Sequence, residues 1–205
     1  MACSRPIEEE ENFTRLVLLI TKPCQKLLRA CFERSVQATS PGQTIDVFLN
    51  NNRKSILQTI HGKHYKAKYF PQGGATSLDD WDILMLCHMA TYLPPTVISP
   101  HLPAIKEMRN TMSHSTSGMV PSNEYLTHRK QIQDFIDAGL NYLNVHTFRT
   151  EISEEVRTIE MPIDSNTFEV FKLALNMFSH SECILQEMQG KFNSTLLDML
   201  GKYTM

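Results

Sequence analysis

Leu102-Pro103-Ala104-Ile105-Lys106-Glu107-Met108-Arg109-Asn110-Thr111-Met112-Ser113-His114 is the stretch on which both fold and chemistry turn. Proline suits the first turn of a helix, where its missing N–H would have had no intrahelical partner. Pro103 stands at such a place, and Ile105 and Met108 follow at the spacing of one helical face. The pattern predicts a helix that begins near Leu102 and runs into Arg109, Asn110 and His114. Those side chains put a permanent cation, an amide and an imidazole within two turns. A guanidinium offers a planar fork of donors that matches a phosphate, and an imidazole exchanges protons near neutral pH. Together they are a minimum set for cleaving RNA without a metal. Arg five positions ahead of His arises by chance about 0.3–0.4 times in a chain of this composition, and an intervening Asn makes it roughly twentyfold rarer. The surrounding pattern therefore has to carry the rest.

Outward from this stretch the chain reads as further helices. Glu8–Glu11 precede Phe13, Leu16, Val17, Leu19 and Ile20, an apolar face with acids at the positive end of the helix dipole. Pro23 interrupts it, and Leu27, Leu28, Cys31 and Phe32 resume the face, which predicts a kinked helix or two short ones to about Val36. Ser40-Pro41-Gly42-Gln43 is a turn, and 44–60 reads as one helix through Ile45, Phe48, Leu49, Ile56, Leu57 and Ile60. The basic segment from His61 to Tyr69 leads into an exposed connection, Phe70-Pro71-Gln72-Gly73-Gly74. Ser77-Leu78-Asp79-Asp80 is expected to cap an apolar helix from Trp81 to Leu93, stopped by Pro94-Pro95. Beyond the motif, Ser122 opens a helix to about Val145. Residues 146–164 look less regular, with Ile159–Ile163 as a short extended piece, and 165–202 carry one long helical pattern. The expected fold is all-α: a helical bundle over 1–145, a linker over 146–164 and an additional long C-terminal helix within 165–205.

Composition narrows the function. The 205 residues are 41% apolar and 20% charged, enough to build a core, and the formal net charge is −2. A dedicated high-affinity nucleic-acid binder would normally show a basic excess, whereas an enzyme that touches a few phosphates need not. Five cysteines without a Cys-x-x-Cys pair point to reduced thiols and a cytoplasmic setting, with Cys24 and Cys31 on one core face. Met1–Glu11 has no apolar core of a secretory leader, and no run of 18 apolar residues exists, so neither secretion nor a membrane partner is expected. Lys63, His64, Lys66 and Lys68, with Tyr65 and Tyr69 between them, are candidate contacts to an RNA backbone. His61-Gly62-Lys63-His64 lacks further ligands at metal spacing, so no metal or other cofactor is expected. His88, on an apolar helix, reads as a packed core histidine.

The stretch from Leu78-Asp79-Asp80-Trp81-Asp82-Ile83-Leu84-Met85-Leu86 through Leu102 to His114 resembles a HEPN domain. It is similar in particular to the sub-family found in the DAZ-interacting zinc-finger ubiquitin ligase. Asn12-Phe13-Thr14-Arg15-Leu16, the Tyr69-Phe70-Pro71-x-Gly73 connection and Arg-Asn-x-x-x-His at 109–114 stand in the corresponding order over roughly 10–140. The resemblance implies a helical bundle that forms a homodimer with two copies of the motif facing each other. In active members the pair is one metal-independent endoribonuclease site, matched here by Arg109, Asn110 and His114. Positions 109 and 114 lie about 140° apart around an ideal helix, whereas 110 and 114 share a face. Closing the site across a two-fold axis remedies the divergence. RNA would be cut by attack of the 2′-OH on phosphorus. The alternative is a non-catalytic HEPN module for dimerisation or scaffolding in a signalling or immune assembly.

Overall fold

Burial of Trp81 organises the bundle. The computed structural model describes residues 8–39, 42, 44–60 and 63–161, and every regular element among them is helical. The all-α expectation holds for these residues. The long pattern at 165–202 lies outside them.

Helix α1 (Glu8–Leu19) begins on the acidic run. Pro23 cannot donate to the ladder, and the chain accommodates it by widening into one π-turn over Ile20–Cys24 before α2 (Gln25–Thr39) resumes. The apolar face stays continuous through the kink: Leu16, Leu19, Ile20, Leu27, Leu28, Cys31, Phe32 and Val36 are all buried. The single helix expected over 44–60 is two, α3 (Ile45–Asn51) and α4 (Arg53–Thr59). Between them Asn52 leaves helical geometry at φ −100°, ψ 4°, and its side chain donates to the Phe48 carbonyl at 2.9 Å. That local bond offers the backbone an alternative to the ladder. The basic segment expected as an exposed connection forms the short helix α5 (Lys63–Tyr69).

The start of α6 also differs from expectation. Ser77 caps a single 3-10 turn, Leu78–Asp80, and Trp81 is extended (φ −93°, ψ 125°). The cap of α6 (Ile83–Ala90) is Asp82, whose Oδ1 accepts from the Met85 N–H at 2.8 Å. This arrangement lets the Trp81 ring turn inward. It lies 4.8 Å from the Tyr69 ring, edge to face, and 5.7 Å from Phe32, which packs on Phe48 at 5.6 Å. Its indole N–H donates to the Lys68 carbonyl at 3.4 Å, and Tyr69 donates to the Met85 carbonyl at 3.2 Å. Helix α2 clamps the backbone around it: Gln25 donates to the Trp81 carbonyl at 3.0 Å, and Arg29 donates to that of Leu78 at 2.9 Å. Truncating such an aromatic costs about 3–5 kcal/mol, a large share of the roughly 5–15 kcal/mol that holds a domain folded.

After a 3-10 turn at Ser99–His101, α7 (Leu102–His114) packs on α6 and on α8 (Ser122–Leu143). Ser122 is the first residue of α8 and its hydroxyl donates to Glu8 at 2.6 Å instead of capping. Asn144 ends the helix in the left-handed region at φ 51°, a conformation asparagine tolerates, and Arg34 donates to the Leu143 carbonyl at 2.6 Å. Residues 146–160, expected as the start of a linker, are helix α9 (His146–Glu160), which packs against α1 through Ile152, Val156 and Ile159. Residues Glu8–Met161 make one compact unit.

Helices α2 and α8 approach closely at Gly139. A Cβ there would stand 2.7 Å from Leu27 Cδ2 and 2.9 Å from Leu27 Cγ, and Leu27 is fully buried. Alanine gains about 1 kcal/mol of helix propensity over glycine, while overpacking a core costs about 1–3 kcal/mol. Gly139→Ala is therefore expected to be neutral to mildly destabilising, and Gly139→Val to lower the thermal midpoint by several degrees. Equal midpoints for wild type and Gly139→Val in a melting experiment would contradict the close approach.

Candidate functional site

Arg109, Asn110 and His114 occupy the C-terminal half of α7; Arg109 flanks the buried face formed by Ile105, Met108 and Met112, and Asn110 and His114 lie opposite it. The helix runs unbroken through His114, and its C-terminal stop comes at Ser115, extended at φ −68°, ψ 118°. Five residues of regular helix separate Arg109 from His114 by about 7.5 Å along the axis and about 140° around it. The two side chains therefore leave α7 in different directions. Asn110 and His114 lie on one stripe, a turn apart. Arg109 and Asn110 are half-buried and His114 is exposed in the last turn, where a cation suits the helix dipole. Ser113 folds its hydroxyl back onto the Arg109 carbonyl at 2.8 Å.

One partner of Arg109 comes from another helix. Its guanidinium lies 3.8 Å from Asp82 Oδ2, with the two side chains 19% and 35% exposed. Asp82 thus divides its carboxylate, one oxygen capping α6 and the other facing α7. The Tyr69 phenol is pushed up chiefly by burial and further by the charge of Asp82. Sequence reasoning quoted Asp82 only as part of a pattern. The usable signal was a carboxylate three residues before Met85, at the head of an apolar run.

The loop after His114 is anchored on the first helix. The Val120 N–H donates to the Glu9 carbonyl at 3.0 Å, and the buried Asn12 side chain donates to the Val120 carbonyl at 3.2 Å. Gly118 turns this loop at φ 60°, its N–H donating to Ser115 Oγ at 3.3 Å. The end of α7 is thereby fixed from both sides.

The expected RNA-contact segment is reshaped. Lys66 and Lys68 are exposed on α5, but Tyr69 is sealed in the Trp81 cluster and offers no face to a base. The side chains of Lys63 and His64 lie outside the described residues. Arg53 stacks over Phe70 at 4.4 Å, covering that ring as well. No group of three or more potential metal ligands exists among the described residues. Among the described residues the thiols are not candidate nucleophiles: burial pushes Cys31 and Cys87 up to about 12 and raises Cys24 too. No described helix is long and apolar enough to cross a membrane.

Compared with protein families, with curated proteins and with solved structures, the chain matches none.

His88 is half-buried and hydrogen-bonded rather than sealed in the core. Its Nε2 lies 3.1 Å from Thr59 Oγ1, which also meets the Tyr92 hydroxyl at 2.7 Å, joining α4 to α6. Its pKa is lowered, first by burial and then by the charge of Lys106. A histidine whose folded pKa lies below its unfolded value favours folding when neutral. Its contribution is present above the unfolded pKa and is lost as pH falls through the folded one. Thermal midpoints should therefore fall more steeply below about pH 6.5 in wild type than in His88→Asn. Parallel curves for the two proteins would show that His88 charges without penalty.

Proposed function

We propose that this chain is a HEPN-type, metal-independent endoribonuclease that works as a homodimer, with Arg109, Asn110 and His114 of both copies forming one site. The observation that carries the reading is the unbroken course of α7 through His114. It places the cation and the imidazole near one helix end while sending them apart. One copy would present each group to a different side. A two-fold axis would bring the complementary set to the same phosphodiester.

The chemistry is transesterification. The ribose 2′-oxygen forms a bond to phosphorus as the bond from phosphorus to the 5′-oxygen breaks, leaving a 2′,3′-cyclic phosphate and a 5′-hydroxyl. His114 of one copy removes the 2′-OH proton, and its counterpart protonates the departing oxygen. Arg109 stabilises charge on the phosphorane oxygens. Asn110, one turn from His114, orients the imidazole or the phosphate. Lys66 and Lys68, exposed on α5, would supply only a weak backbone contact.

A second reading has its own support. Arg109 is ion-paired inside its own subunit, and the chain carries a formal net charge of −2. Both features suit a HEPN-like module that dimerises or assembles protein partners and cuts nothing.

Single-stranded RNA incubated with the purified full chain in EDTA separates the two. The nuclease reading expects cleavage to 2′,3′-cyclic phosphate ends, silence on DNA, and a loss of at least about 100-fold in both Arg109→Ala and His114→Ala with melting curves unchanged. Intact RNA with a dimeric protein favours the assembly module. A monomer by sedimentation would remove the composite site.

A further inference from the structure

Asp82 is a carboxylate fixed at both ends. Oδ1 is committed to the Met85 N–H at 2.8 Å, which ties the group to the first turn of α6. Oδ2 faces the Arg109 guanidinium at 3.8 Å. The backbone beneath it is immobilised in turn, because Gln25 holds the Trp81 carbonyl at 3.0 Å and the Trp81 ring is fully buried. A side chain so placed has little freedom to withdraw from Arg109. The separation is also longer than the roughly 2.7–2.9 Å of a charge-assisted hydrogen bond. At this distance the carboxylate biases the direction of the guanidinium without a direct bond to that nitrogen.

From this geometry we propose that Asp82 is a positioning residue for Arg109, helping to hold the guanidinium on the side of α7 where a phosphodiester would meet it. The proposal rests on the nuclease reading for its catalytic consequence, but the positioning itself is a property of the free protein. Two opposing effects follow from one charge. Asp82 restricts where Arg109 points, which lowers the cost of orienting it in the transition state. It also places a negative charge close to an incoming phosphate, which weakens ground-state binding. Removing the charge while keeping the cap should separate them, since asparagine caps a helix about as well as aspartate.

The variant is Asp82→Asn, and the expected signature is a split: kcat falls about tenfold or more, while KM for a short single-stranded RNA falls two- to threefold. A purely structural role would lower stability with KM unchanged. A purely repulsive role would lower KM with kcat unchanged or raised. Either pattern overturns the proposal. Asp82→Glu, which restores charge on a longer arm, should recover part of kcat. An independent readout needs no activity: NMR relaxation at the Arg109 side-chain Nε should show greater mobility in Asp82→Asn than in wild type. Wild-type protein that leaves RNA intact, with Arg109 loosened in the variant, would end the nuclease reading and keep the positioning role. Unchanged Arg109 relaxation, with kcat also unchanged, would end the positioning role whatever the protein does to RNA.

Discussion

The indole of Trp81 is the constraint from which the rest of the bundle can be built. Its ring is fully buried between Tyr69 and Phe32, and Phe48 extends the stack towards α3. Helices α2 and α5 therefore meet on one side chain, and α3 joins them through Phe32. Because the ring must point inward, the backbone at position 81 is extended and α6 cannot begin there. The helix begins two residues later, and the carboxylate that caps it is Asp82. The geometry beside Arg109 is thus a by-product of core packing. Aromatic burial supplies the energy, a cap turns it into a fixed charge, and that charge meets the motif helix.

Local backbone chemistry was largely legible in the residues. Pro103 near the start of α7 and the position of Pro23 marked a real helix start and a real break in the regular helix. Features that depend on competition between neighbours were harder to read. At 77–82, Ser77, Asp79, Asp80 and Asp82 all have side chains suited to capping, and only burial of Trp81 decides between them. At 44–60 the apolar residues continue in phase across Asn52, so periodicity alone cannot see the break. In α9 the β-branched residues Thr147, Thr150, Ile152, Val156, Thr158 and Ile159 lower intrinsic helix preference. The helix forms there because Ile152, Val156 and Ile159 find a buried surface.

The candidate site shows the same division. Arg109, Asn110 and His114 were visible because they are contiguous in sequence, and their angular relation followed from helix geometry alone. Asp82 is 27 positions from Arg109 by number and reaches it only through the α6–α7 contact. Tyr69 illustrates the reverse error. Interleaved with lysines it resembled a stacking residue, yet the apolar body of a tyrosine serves a core equally well when its hydroxyl finds a carbonyl.

The tether from Asn12 to Val120 spans 108 positions of chain. Contacts of such separation carry a large loop-closure entropy and tend to form after local ones. During synthesis the first helix must wait for nearly everything between it and the motif before it can clasp the loop that follows His114. The clasp on the loop that follows His114 therefore closes after the local helical contacts have formed. A chain still emerging would carry the Arg–Asn–His sequence before that geometry is locked.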